Sequence, residues 1–226
     1  GGRRISQTVS DPLGRPVRAD YGVLGDAVTA VIEMAEASGL HRVSSHERNP
    51  DLTSSRGTGE LIRAALDSGA RRLILGLGGS ATNDGGAGML AALGARLLDA
   101  EGADLPEGGA ALARLSRLDL SALDPRLQQT ELIIASDVTN PLCGPQGASA
   151  VFGPQKGASA EQVKKLDDAL NHFADCLAEA TSIDARHQAG AGAAGGLGVS
   201  LMALGGELKP GIEVVAEYVD ESTPSG

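Results

Sequence analysis

Two stretches of this chain set polar, reactive side chains just beyond a short apolar run. In the first, Leu73 to Leu77 reads as a buried strand and breaks into Gly78-Gly79-Ser80-Ala81-Thr82-Asn83-Asp84-Gly85-Gly86. Ser80, Thr82 and Asn83 can hydrogen-bond hydroxyls or a carboxylate on a small substrate. Asp84 can take a proton or orient a hydroxyl. The glycines, Gly78, Gly79 and Gly85 in particular, let backbone N–H groups turn toward an anion without a Cβ in the way. A helical run from Ala87 to Leu98 follows, and a helix N-terminus favours negative charge. In the second stretch, Glu131 to Ala135 reads as a strand that ends in Ser136-Asp137-Val138-Thr139-Asn140-Pro141. Open α/β sheets place ligands outside the carboxyl ends of their strands. Asp137 there can deprotonate a hydroxyl or hold Mg²⁺ directly or through water. An Asx-type turn before Pro141 is the other use of Asp137 and Asn140.

Two cations are candidates for anion binding. Arg56 lies in Thr53-Ser54-Ser55-Arg56-Gly57-Thr58-Gly59-Glu60 and can grip a carboxylate or phosphate with two parallel hydrogen bonds. Thr58 in the same stretch serves either that site or the start of a helix over Leu61 to Leu66. Lys156 lies in a long loop from Cys143 to Ala158 and is either a phosphate or carboxylate partner or a solvated surface lysine. Cys143 has no histidine near it in sequence, which argues against a catalytic thiol. His172 and Cys176 stand four apart, but two groups do not make a zinc site.

The glycine stretch is not a P-loop, since it has no lysine in G-x-x-x-x-G-K-[ST] spacing. It contains a look-alike of the dinucleotide fingerprint, Gly76-x-Gly78-x-x-Ala81 with Asp99 downstream. That match keeps an NAD-dependent oxidoreductase open as an alternative, beside a non-catalytic module that binds a small anion.

The elements that must carry these groups are legible in outline. Arg3 to Val9, Pro16 to Tyr21 and Ala27 to Met34 read as a β-meander with turns at Asp11-Pro12-Leu13-Gly14 and Gly25-Asp26. The strand, glycine loop and helix units after it define an α/β (mixed α+β) fold in one domain over residues 1–226. Leu112 to Leu123 is expected to be partly helical. Ser159 to Thr181 is the clearest helix, capped by Ser159, with Val163, Leu166, Leu170, Phe173, Ala174 and Leu177 on one stripe. Gly190 to Gly198 carries no polar side chain and supplies backbone only, so it serves close packing or an anion cradle, before a helix over Val199 to Leu204. Gly211 to Tyr218 reads as a last strand and Asp220 to Gly226 as a frayed end.

With 42% hydrophobic and 21% charged residues, the 226-residue chain has the composition of a globular protein. Aromatic residues make up only 2%, so the core must be aliphatic. A formal charge of -10 opposes nucleic-acid binding, which needs a basic face. No apolar run is long enough for a membrane helix, and two cysteines make no disulfide framework. A cytoplasmic location is the expectation. The chain begins inside a predicted strand, as a piece of a longer protein would.

Four ordered stretches together resemble the bacterial glycerate kinase family. They are Thr53 to Glu60, Gly78 to Gly88, Asp137-Val138-Thr139-Asn140-Pro141-Leu142 and Phe152-Gly153-Pro154-Gln155-Lys156-Gly157. Gly190 to Gly198 and Lys209 to Val215 are similar to that family as well. The resemblance implies transfer of a phosphoryl group from ATP to D-glycerate, with Mg²⁺, giving 2-phosphoglycerate in most bacterial members. It also implies a two-domain enzyme in which this chain is the inserted mixed α/β domain, facing a Rossmann-like domain built by both ends of the longer polypeptide. Apolar surface that normally faces that domain would invite self-association as a homo-oligomer.

Overall fold

The computed structural model describes residues 1–220, with side chains described through Glu217. A six-stranded sheet runs through the molecule in the order β1-β2-β3-β4-β7-β8. Strands β1 (Arg3–Ser10), β2 (Pro16–Val23) and β3 (Thr29–Glu33) form the expected meander. The Asp11 carboxylate ties its first turn by accepting from the Leu13 and Arg15 N–H groups at 2.8 and 2.9 Å. From β3 onward the sheet is parallel: β4 (Arg72–Gly76), β7 (Glu131–Ala135) and β8 (Glu207–Lys209) follow in register. Between β3 and β4 lie the short helix α1 (Ala35–Ser38) and α2 (Arg56–Asp67).

The two faces of the parallel strands are covered unequally. Leu73 and Leu75 of β4 point into the main core with Ile32, Leu61, Ile62 and Leu66, all within 2% of full burial. Ile74 and Ile133 point to the other face and meet Val214. Val214 belongs to α7 (Gly211–Asp220). The last strand expected over Gly211 to Tyr218 is therefore a helix. Its β-branched run follows Pro210, which suits a helix start, and of Ile212, Val214 and Val215 only Val214 is buried. The expected frayed end, Asp220 to Gly226, lies almost wholly outside the described residues.

Other boundaries also differ. Helix α3 (Ala87–Ala92) stops well short of Leu98, because Gly94 turns the chain with φ +109 where a Cβ would meet the Ala122 carbonyl. Residues beyond it form β5 (Arg96–Leu98), paired with β6 (Arg117–Asp119) in a small antiparallel ribbon. The stretch from Leu112 is thus a 3-10 turn (Gly109–Arg114) followed by a strand. The expected long loop over Cys143 to Ala158 contains α4 (Ala148–Phe152) and a 3-10 turn at Pro154–Lys156. Helix α5 (Ala160–Thr181) matches its expected span, with Ser159 and Gln162 in a reciprocal capping box. Helix α6 (Leu197–Ala203) follows the third glycine stretch. Among the described residues, no helix is long and apolar enough to cross a membrane.

Candidate active site

Glu33, Gly76, Ala135 and Lys209 stand in one row across the carboxyl ends of β3, β4, β7 and β8. Backbone bonds extend the row by a residue: Leu77 N–H donates to the Ala135 carbonyl at 3.1 Å and Ser136 N–H to the Lys209 carbonyl at 3.2 Å. Just past it, Gly78, Gly79 and Asp137 are exposed. Gly79 adopts φ +66, and its carbonyl accepts from Leu40 N–H at 2.7 Å, so the loop is fixed although it faces solvent. Asp137 Oδ1 accepts from the Gly211 N–H at 3.1 Å and so caps the start of α7, leaving Oδ2 as the oxygen available to a ligand. Asn140 is half-buried and donates to the Gln146 carbonyl at 2.8 Å, closing the turn that its sequence permits.

The other polar side chains of the glycine stretch point inward. Asp84 is 1% exposed and accepts four hydrogen bonds, from Ser55 N–H and Oγ at 2.9 Å each and from Gly86 and Gly88 N–H at 3.1 Å each. Ser55 Oγ in turn accepts from Met89 N–H at 3.0 Å. One carboxylate thereby joins the N-termini of α2 and α3. Gly88 makes this approach possible, because a Cβ there would sit 2.2 Å from Ser54 Oγ. Burial raises the Asp84 carboxyl above the ordinary range, against the pull of its four donors.

Lys156 is 2% exposed rather than solvated, and its ammonium donates to the Thr82 carbonyl at 2.7 Å. Burial lowers its pKa to about 7, partly offset by Asp84. Gly195 packs on that same carbonyl, at a distance where a Cβ would overlap it. Asn83 donates to Ser149 Oγ at 2.8 Å, Thr58 Oγ1 bonds Ser38 Oγ at 2.8 Å, and Ser80 is buried. Thr82 Oγ1 and Asn83 Oδ1 are buried without a partner among the described residues. Gly85 is buried with φ +64 against Phe173, so it serves the turn.

Arg56 joins neither group. It pairs with Glu107, and both line a separate pocket of about 170 Å³ together with Gly88, Leu97, Leu105 and Leu112. The structure therefore divides the sequence candidates. Gly78, Gly79 and Asp137 stand on the exposed strand ends. Asp84, Lys156, Thr58, Ser80, Thr82 and Asn83 are buried, and of these Asp84 and Lys156 bond the backbone of the loop or of the helix it leads into.

Glu33 escaped the sequence reading. It sits at the end of a strand where a lone glutamate reads as ordinary surface, and no loop motif marks it. Glu33 is exposed as a residue, but its carboxylate lies against the Gly76 backbone, and partial desolvation there, with repulsion from Glu36, raises its pKa. Burial, with Asp167 beside it, pushes the Cys143 thiol up to about 12, which disfavours its thiolate.

Among the described residues, no three His, Cys, Asp or Glu side chains are grouped to hold a metal. The donor set at the strand ends suits Mg²⁺ carried in by a nucleotide, which needs one or two carboxylates plus phosphate oxygens. The dinucleotide look-alike fits poorly. No helix opens among its glycines, and Asp99 spends its carboxylate on the Glu101 and Ala103 N–H groups at 2.9 Å.

A parallel sheet whose strand ends present a glycine loop and carboxylates is an α/β ligand-binding architecture. Residues 1–223 match the model of the glycerate kinase family, and the chain belongs to that family. It is 59% identical over 220 residues to the glycerate kinase of Bacillus subtilis, covering 97% of this chain and 58% of that one. It is 55% identical over 208 residues to the glycerate 2-kinase of Escherichia coli, covering 92% and 55%. The crystal structure of a protein assigned as glycerate kinase 2 from Salmonella typhimurium LT2 superposes with a TM-score of 0.95 at 53% identity, over 97% of this chain and 59% of that one. The chain thus spans somewhat over half the length of the relatives it matches.

Proposed function

We propose that this chain is the substrate-binding part of an ATP-dependent glycerate kinase, which moves the γ-phosphoryl group of ATP to a hydroxyl of D-glycerate and yields 2-phosphoglycerate. The observation that carries the reading is the aligned row of strand ends, with Gly78 and Gly79 backbone and the Asp137 carboxylate exposed just beyond it. Phosphoryl transfer rests on positioning and charge neutralisation. Gly78 and Gly79 offer backbone contact to phosphate oxygens. Asp137 Oδ2 orients the glycerate hydroxyl or takes a place on Mg²⁺, which when bound neutralises phosphate charge. Asp84 and Lys156 act from beneath, holding the loop. Arg56 reaches a glycerate carboxylate only after leaving Glu107. A Rossmann-like partner domain of the same enzyme would close over the strand ends, in the cytoplasm.

Calorimetric titration of this chain with D-glycerate, alone and with Mg-ATP, tests the reading. Saturable binding that weakens at least ~10-fold in Asp137→Ala supports it. Equal binding by both proteins removes Asp137 from the site.

A further inference from the structure

Glu33 has the features of a proton acceptor, and no other described residue employs it. It ends β3 in the same row as Gly76 of β4 and Ala135 of β7. An ideal Cβ on Gly76 would lie 2.3 Å from Glu33 Oε2, so the carboxylate occupies the space that the glycine leaves. Among the described residues it has no hydrogen-bond or ion-pair partner. Its neighbour Glu36 is engaged, accepting from Asp20 N–H at 3.0 Å and facing Arg42. The charged groups on this edge are Glu36 from α1, Asp137 after β7 and Lys209 at the end of β8, which pairs with Glu217 at 3.5 Å. One strand separates β3 from β7, so at about 4.8 Å per strand their ends stand roughly 10 Å apart. A three-carbon acid fits between them.

We infer that Glu33 is the general base of the transfer, a reading that rests on the kinase function proposed above. The glycerate hydroxyl oxygen forms a bond to the γ-phosphorus. The bond from that phosphorus to the β,γ-bridging oxygen breaks, and ADP leaves with the electron pair. The hydroxyl proton passes to the Glu33 carboxylate and is later released to solvent. An unpaired carboxylate partly withdrawn from water is a better base than an ordinary surface one. Its position on β3 gives it a rigid mount, unlike a loop residue.

The test uses the full natural polypeptide, assayed for D-glycerate-dependent ADP formation with Mg-ATP from pH 5 to 9. Glu33→Gln is expected to lower kcat by ~100-fold or more, to leave KM for glycerate within about threefold, and to abolish the acid limb of the kcat profile. Glu33→Asp should retain an acid limb. Gly76→Ala, whose new methyl displaces only the end of a flexible side chain, should lower kcat without lowering the thermal midpoint appreciably. An E33Q enzyme with near-normal kcat, or one that keeps the acid limb, overturns the inference while leaving the kinase reading intact. A wild-type protein that makes no phosphoglycerate overturns both.

Discussion

The aspartates of the two polar stretches look alike in sequence and have opposite surroundings. Asp84 is sealed in the interior by four donors, whereas Asp137 is exposed and spends one oxygen on the start of α7. Removing Asp84 strands Ser55, Gly86 and Gly88 donors in a dry interior. Asp84→Ala is therefore expected to cost roughly 3 kcal/mol or more of stability, read as a lower urea midpoint. Asp137→Ala should cost less than about 1 kcal/mol, the value of one exposed cap. Lys156 gives a pH dependence. Its folded-state pKa lies near 7, against 10.5 for an ordinary lysine. Between those values the unfolded chain holds a proton that the folded chain has released, so stability rises with pH. Below pH 7 the buried charge is a full penalty. Cys143 pulls the other way only above the ordinary thiol range, since its folded-state value lies near 12. From pH 7 to 8.5 the rise should be about 1–2 kcal/mol, and Lys156→Met should flatten it. An unchanged slope in that variant would assign the rise to another group.

Elements with a strong period or a local cap are legible in the sequence. Helix α5 declared itself through Ser159, Gln162 and the stripe from Leu166 to Leu177, and the apolar runs of β4 and β7 gave both strands. Ser159→Ala should lower stability by about 1 kcal/mol through loss of the capping box. What was not readable depended on contacts distant in sequence. Helix α7 looked like a strand because its β-branched run hides one buried residue, Val214, against Ile74 and Ile133. Helix α3 looked longer because the left-handed turn at Gly94 is set by Ala122, nearly thirty residues away. The sequence marks the glycine loops as special, but not which of their side chains turn inward. That division comes from α2, α3 and α6 packing around the loop. Gly195→Ala, whose methyl would overlap the Thr82 carbonyl, should fold poorly even though Gly195 carries no side chain to lose.

At the scale of the whole molecule, the parallel half of the sheet and the interior polar groups form one device. The interior fixes the glycine loop to α2, α3 and the 3-10 turn carrying Lys156, and the sheet presents that loop beside Asp137 and Glu33 at a shared edge. The chain belongs to the glycerate kinase family, and under the proposed function this edge takes D-glycerate. Ile212 and Val215 are 79% and 60% exposed on α7, whose first residue bonds Asp137 at this edge. The most direct measurement is phosphorus NMR of the full natural polypeptide mixed with Mg-ATP and D-glycerate. The expected result is a phosphomonoester signal that grows as ADP appears, and its loss in Asp137→Ala while the fold stays intact by circular dichroism. ATP left unchanged in the presence of D-glycerate, or turnover undiminished in that variant, would contradict it.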